Sequence, residues 1–157
     1  MDKIWAPWRI NYIKQLKTKG CILCKIKRQN NDKENFIIHR SDYCFAVLNI
    51  FPYNNGHVMI VPNRHIGTLE KLNDFELLDI NKTLIKIKKT LKIILKPEGF
   101  NIGINIGKAS GAGIEKHIHT HLVPRWQGDT NFMPILSNTK IISQSLAELY
   151  LTIKKII

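Results

Sequence analysis

Apolar residues change their spacing several times along this chain, and each change marks an element. Leu77, Ile80, Leu84, Ile87, Leu91 and Ile94 recur at alternating steps of three and four. That period draws one apolar stripe and predicts a helix over residues 74–95. Asn73 suits its N-cap, Glu76 completes a capping-box pattern, and Pro97 and Gly99 end it. Short apolar, β-branched runs predict strands at 36–39, 43–48, 57–61, 100–106 and 117–123. Arg40-Ser41-Asp42 and Pro52-Tyr53-Asn54-Asn55-Gly56 supply turns. A short basic helix is expected over 24–31 and a C-terminal helix over 145–156. The pattern describes an α+β domain: an antiparallel sheet of about five strands, one long helix and a C-terminal helix. No repeat or linker interrupts it, so residues 1–157 read as a single domain. Residues 1–20, with Trp5, Trp8, Arg9 and Tyr12, form an aromatic, basic N-terminal extension, and residues 137–157 form a tail.

Composition narrows the setting. A chain of 157 residues that is 44% hydrophobic can bury one core. No apolar stretch reaches the roughly 18 residues of a membrane span, so no membrane partner is expected. The first residues lack a secretory apolar run, and a cytoplasmic location is expected. A net charge of +12 favours anionic partners. Lysines 82, 86, 88, 89, 92 and 96 fall within or just past one helix and read as its solvated face, so nucleic acid is not expected as the primary partner. Three cysteines, Cys21, Cys24 and Cys44, argue against a disulfide framework, and Cys44 reads as a packed thiol.

The chemistry concentrates in His117, His119 and His121. On a strand, residues spaced by two share a face, so all three imidazoles would line one side. Such a cluster suits metal binding, nucleophilic attack or proton transfer near neutral pH. Before it lies Gly107-Lys108-Ala109-Ser110-Gly111-Ala112-Gly113, a loop able to bring backbone N–H groups to an anion. Cys21-Ile22-Leu23-Cys24 can offer two thiolates to zinc, and with no second such pair His65 and His117 would complete a tetrahedral site. A redox pair or two unrelated thiols are the alternatives.

These residues carry a family resemblance. His117-Ile118-His119-Thr120-His121-Leu122-Val123 resembles the signature of histidine triad (HIT) proteins. Leu48-Asn49, Gly56-His57-Val58-Met59-Ile60-Val61-Pro62, Arg64-His65-Ile66 and Gly103-Ile104-Asn105-Ile106-Gly107 extend the likeness over most of the chain. Trp5-Ala6-Pro7-Trp8-Arg9 and the run from Pro124 to Met133 resemble a bacterial branch that groups with diadenosine polyphosphate hydrolases and phosphorylases.

The resemblance implies a HIT-like sheet fold, a homodimer, and an enzyme acting on nucleotides. It implies that His119 is the nucleophile that takes up a nucleoside monophosphate. His121 would contact and orient the phosphate, and His57 would stand in the surrounding shell. Asn49 would bind the ribose hydroxyls. Asn105 and the loop residues Ser110, Gly111 and Gly113 would meet the phosphates, and Trp126 would bind substrate. Cys21, Cys24, His65 and His117 would correspond to the ligands of zinc-bearing relatives. Hydrolases of the family carry Gln and a hydroxyl residue where Gly113 and Ile114 stand here; phosphorylases tend to Gly-Ser nearby and share Trp126. The expected reaction is cleavage of diadenosine tetraphosphate, or a related dinucleotide, with phosphate as acceptor. Water as acceptor, cleavage of nucleoside phosphoramidates or adenylylsulfate, and a nucleotide- or RNA-binding module are the alternatives.

Overall fold

A computed structural model describes residues 20–129 and 141–157. The first 19 residues of the N-terminal extension, and residues 130–140 with the start of the tail, lie outside the described residues. In chain order the elements are α1 (Ile22–Arg28), β1 (Ile37–Arg40), β2 (Cys44–Leu48), β3 (Val58–Pro62), α2 (Asp74–Leu95), β4 (Gly99–Ile104), β5 (Thr120–Arg125) and α3 (Leu146–Lys154). The strands form one five-stranded sheet in the order β1-β2-β3-β5-β4, every neighbouring pair antiparallel. No helix among the described residues is long and apolar enough to cross a membrane.

Strand alternation divides the sheet into two faces. Cys44, Ala46, Leu48, Val58, Ile60 and Leu122 pack against Ile80, Leu84, Ile87 and Leu91 of α2 and Leu149, Tyr150 and Ile153 of α3. Phe45, Val47 and Val61 point the other way and meet Ile37 and Leu23 of α1. His121 pairs with Met59 on β3 and Gly103 on β4, which puts it on this second face. The site is therefore built on the side of the sheet that the long helix leaves open.

The boundaries of α2 are those its sequence predicts, and its capping box is reciprocal: Glu76 N–H donates to Asn73 Oδ1 at 2.9 Å and Asn73 N–H to Glu76 Oε2 at 3.0 Å. Its buried face holds Ile80, Leu84, Ile87 and Leu91 of the predicted stripe and is wider than that stripe. Leu77 is 37% exposed, whereas Glu76, Thr83 and Thr90 are buried. Glu76 is drawn inward by Arg64, whose Nε and Nη2 each donate to it at 2.7 Å. Thr83 faces Cys44, and Thr90 returns its hydroxyl to the Lys86 carbonyl.

Two further elements are displaced from expectation. The first helix begins at Ile22 rather than residue 24, with Cys21 as its N-cap. The fifth strand begins at Thr120 rather than His117 and runs through Pro124 to Arg125. Pro124 fits because β3 pairs only as far as Leu122, leaving that edge without a ladder that needs its N–H. At the other end, His117 N–H closes a turn on Ile114 and Ile118 N–H donates to the Ile66 carbonyl, so residues 117–119 are tied to a loop instead of a strand. Only His121 of the three histidines lies in the ladder.

Candidate active site and metal centre

The cysteine pair is placed by local helix geometry. With Cys21 at the N-cap of α1 and Cys24 three residues on, both thiols share one face. Lys27 Nζ donates to the Asn63 carbonyl at 3.0 Å and ties α1 to the end of β3, where His65 follows. His117 is brought to the same point by the Ile66–Ile118 backbone bond. Gly67 permits that approach: a Cβ there would lie 3.3 Å from the Glu115 carbonyl oxygen and from Lys116 Cα.

The ligand atoms of Cys21, Cys24, His65 and His117 lie within 4.8 Å of one another. His117 Nδ1 is 3.3 Å from Cys21 Sγ, 3.5 Å from Cys24 Sγ and 3.4 Å from His65 Nδ1, and Cys24 Sγ is 3.4 Å from His65 Nδ1. One nitrogen cannot hydrogen-bond all three neighbours at once. A tetrahedral zinc site with usual bond lengths, by contrast, sets its ligands about 3.3–3.8 Å apart. His117 Nε2–H donates to the Pro62 carbonyl at 2.9 Å, which turns a bare Nδ1 lone pair towards the thiols. Burial, then the charge of Cys21, pushes the Cys24 thiol pKa up, so the thiol is not a ready thiolate without a cation. The donor set, spacing and tautomer all fit a closed four-ligand metal centre.

His119 stands next to this centre and is ordered by it. Its Nδ1–H donates to the His117 carbonyl at 2.9 Å, leaving the Nε2 lone pair free. Burial holds its pKa below the ordinary histidine value, against the opposing pull of that carbonyl. The result is a neutral imidazole with a fixed tautomer and an available nitrogen.

A second chain of bonds orders His57 and His121. The N–H of Tyr53 donates to His57 Nδ1 at 3.0 Å, and the Asn49 side-chain amide approaches the same atom at 3.3 Å. His57 must then carry its proton on Nε2, which donates to His121 Nδ1 at 2.8 Å. His121 is left with Nε2–H as a donor, 3.5 Å from the Asn105 amide nitrogen. The His119 and His121 rings meet edge to face, centroids 4.8 Å apart. Burial and the charges of His121 and His119 lower His57 to about 3, and burial and His119 lower His121 to about 4. Both are neutral at pH 7.

The turn that carries this order depends on Gly56. It has φ +76°, and a Cβ there would lie 2.5 Å from Leu95 Cδ1. Buried Asn54 fastens the turn to the end of β5, donating to the Pro124 carbonyl at 3.1 Å and to Asp129 Oδ2 at 2.8 Å. Asp129 also receives Arg125 Nε and the Trp126 N–H.

The expected site residues thus fall into distinct places. His57, His119, His121 and Asn105 converge. Cys21, Cys24, His65 and His117 form the neighbouring cluster. Asn49 is 9% exposed, with Oδ1 accepting from the Phe51 N–H and its amide turned to His57. Ser110 donates its hydroxyl to the Gly107 carbonyl at 2.7 Å, and Gly111 closes the same exposed turn, with exposed Gly113 two residues on. Trp126 lines a groove with Asn54, Asn55, Leu95 and Gln127 at the far end of β5, roughly 16 Å along the strand from His121. Tyr53, Asn54, Asp129 and the Pro62 carbonyl escaped the sequence reading. Tyr53 and Asn54 were visible only as turn residues, and a carbonyl has no sequence signal.

Comparison with known proteins matches the HIT domain to residues 30–128. AP-4-A phosphorylase of Mycobacterium tuberculosis is 35% identical over 156 residues, covering 94% of this chain and 80% of that one. The asymmetrical bis(5'-nucleosyl)-tetraphosphatase of Schizosaccharomyces pombe is 29% identical over 117 residues, 74% of this chain and 64% of that one. Among solved structures, a Zn-bound histidine triad family protein from Mycobacterium smegmatis superposes with a TM-score of 0.69 at 26% identity, covering 87% of this chain and 91% of that one.

Proposed function

The chain belongs to the histidine triad (HIT) family, and from that membership we propose that it cleaves diadenosine tetraphosphate, or a related dinucleoside polyphosphate, by nucleotidyl transfer to His119 and then to inorganic phosphate. The observation that carries this reading is the free Nε2 of His119, fixed by the Nδ1–H bond to the His117 carbonyl.

Nε2 attacks the α-phosphorus, the bond to the bridging oxygen breaks, and the remainder leaves as ATP. The imidazole becomes cationic as the N–P bond forms, and the His117 carbonyl accepts a stronger hydrogen bond from Nδ1–H at that moment. His121 Nε2–H faces the same space and donates to a phosphoryl oxygen without itself changing charge. Phosphate then attacks the phosphorus of the His119–AMP adduct and departs as ADP, restoring neutral His119. Likeness to AP-4-A phosphorylase, together with Trp126 and the absence of a Gln side chain at Gly113, favours phosphate as the acceptor. Water remains the second reading, supported by likeness to the tetraphosphatase.

Cys21, Cys24, His65 and His117 would hold zinc, which would supply structural closure between α1, the end of β3 and the triad. A homodimer is supported by the edge of β4, which no other strand covers among the described residues, and by Ile102 and Ile106, 51% and 55% exposed.

Product analysis tests the reaction. Diadenosine tetraphosphate with phosphate should yield ATP and ADP in equal amounts. ATP and AMP at the same rate with or without phosphate would assign water as acceptor instead. No turnover, with binding that weakens steeply as salt rises, would favour a binding module.

A further inference from the structure

The turn from Pro52 to Gly56 lays Tyr53 over the His57–His121 pair. Its ring centroid is 4.6 Å from that of His57 and 5.5 Å from that of His121, inclined by 37° and 35°. The two imidazoles are themselves 5.0 Å apart. Three rings therefore form one cluster, in which Tyr53 is 54% exposed while His57 and His121 are 1% and 7% exposed. An exposed aromatic ring over two nearly dry imidazoles acts as their cover. The same residue supplies the N–H that fixes His57. Its hydroxyl lies at the limit of hydrogen bonding, 3.5 Å from the Asn105 amide nitrogen. A solvated turn tyrosine would need none of these contacts.

We propose that Tyr53 is a positioning residue for the transfer step. Its ring keeps His57 and His121 stacked and dry, so the His121 Nε2–H, whose tautomer the Tyr53 N–H sets, is aimed before substrate arrives. This rests on the role given to His121 above, but the cover itself can be measured without substrate. The titratable groups facing the pair are His119, whose ring meets His121, and Tyr53 itself. The amides of Asn49 and Asn105 are the polar neighbours. Burial is the largest cause of the low values of both imidazoles. Removing the ring admits water and moves both values up.

The test compares Tyr53→Ala and Tyr53→Phe with the wild type, all as the full-length, zinc-loaded chain. The imidazole NMR signals of His57 and His121 are followed against pH in the absence of nucleotide. Down to about pH 5, where the ligands still hold the metal, both rings of the wild type and of Tyr53→Phe should stay neutral. In Tyr53→Ala the His121 signal should begin to titrate within that range, its midpoint raised by about one pH unit or more. With diadenosine tetraphosphate, Tyr53→Ala should lower kcat about 100-fold with KM within about threefold, and Tyr53→Phe should stay within about threefold in both. Titration of Tyr53→Ala that superimposes on the wild type overturns the proposal. So does a loss in Tyr53→Phe as large as in Tyr53→Ala, because the hydroxyl and not the ring would then be the working part. Failure of the nucleotidyl-transfer reading would show in product analysis and leave the nucleotide-free titration standing.

Discussion

His117 and His119 are two residues apart, both buried, and made of the same ring, yet they present opposite nitrogens. His117 gives Nε2–H to the Pro62 carbonyl and keeps Nδ1 bare towards the thiols. His119 gives Nδ1–H to the His117 carbonyl and keeps Nε2 bare towards the open face. Which backbone carbonyl claims the proton decides whether an imidazole suits a closed metal centre or an attack on phosphorus. The two regions also differ in closure. Four donors converge on a point in one, whereas the other sets the lone pair of His119 beside the Nε2–H of His121. The residue type sets what chemistry is available, and main-chain partners select among its uses.

That contrast can be broken from either side. The largest effect belongs to His119→Ala, which should cut turnover by at least about 10⁴-fold while thermal unfolding moves by less than a few degrees. Retained turnover in a steady-state assay would remove His119 as the nucleophile. Cys21→Ser should do the reverse, costing several kcal/mol of stability, a fall of roughly 10 °C in Tm, together with loss of bound metal. Metal analysis beside calorimetry checks it, and a variant with unchanged Tm and one zinc per chain would sink the closed-centre reading.

The paired imidazoles give a smaller, pH-dependent effect. Their folded values, about 3 for His57 and about 4 for His121, lie below the unfolded value of about 6.5. The unfolded chain therefore binds more protons between these limits. Stability from this source is complete above about pH 6.5 and is lost as pH falls towards 4 and 3, at no more than about 1.4 kcal/mol per unit for each ring. Urea curves of the wild type and the His57→Asn/His121→Asn double variant, taken from neutral pH to about 4.5, isolate the term because the metal cluster is common to both. Parallel curves would show that the pair carries no such linkage. The smallest effect is expected for Asn49→Ala. It removes one of two donors to His57 and should lower kcat about tenfold without changing zinc content. A change confined to KM would instead place Asn49 on the ribose.

Much of this was legible in the chain. The period of α2, its capping box and the turn at 52–56 follow from local rules, and the HIT-like resemblance names histidines that the structure brings together. What was not legible depends on long-range backbone pairing. His117 and His119 sit outside the β5 ladder because the Ile118 N–H is drawn to Ile66, a partner 52 residues earlier. The buried face of α2 widens beyond the stripe at Glu76, whose partner Arg64 lies 12 residues earlier. Tyr53 was hidden for a related reason: a turn motif reports how the chain bends, and not which ring the bend will cover.

The N–H of Tyr53 fixes the protons of His57 and His121 whatever side chain that residue carries. Alanine scanning would therefore pass over the group that sets the polarity of the site, since every substitution except proline preserves it. A mutational map of this enzyme would report the ring of residue 53 and stay silent on the N–H beside it, where the proton order begins.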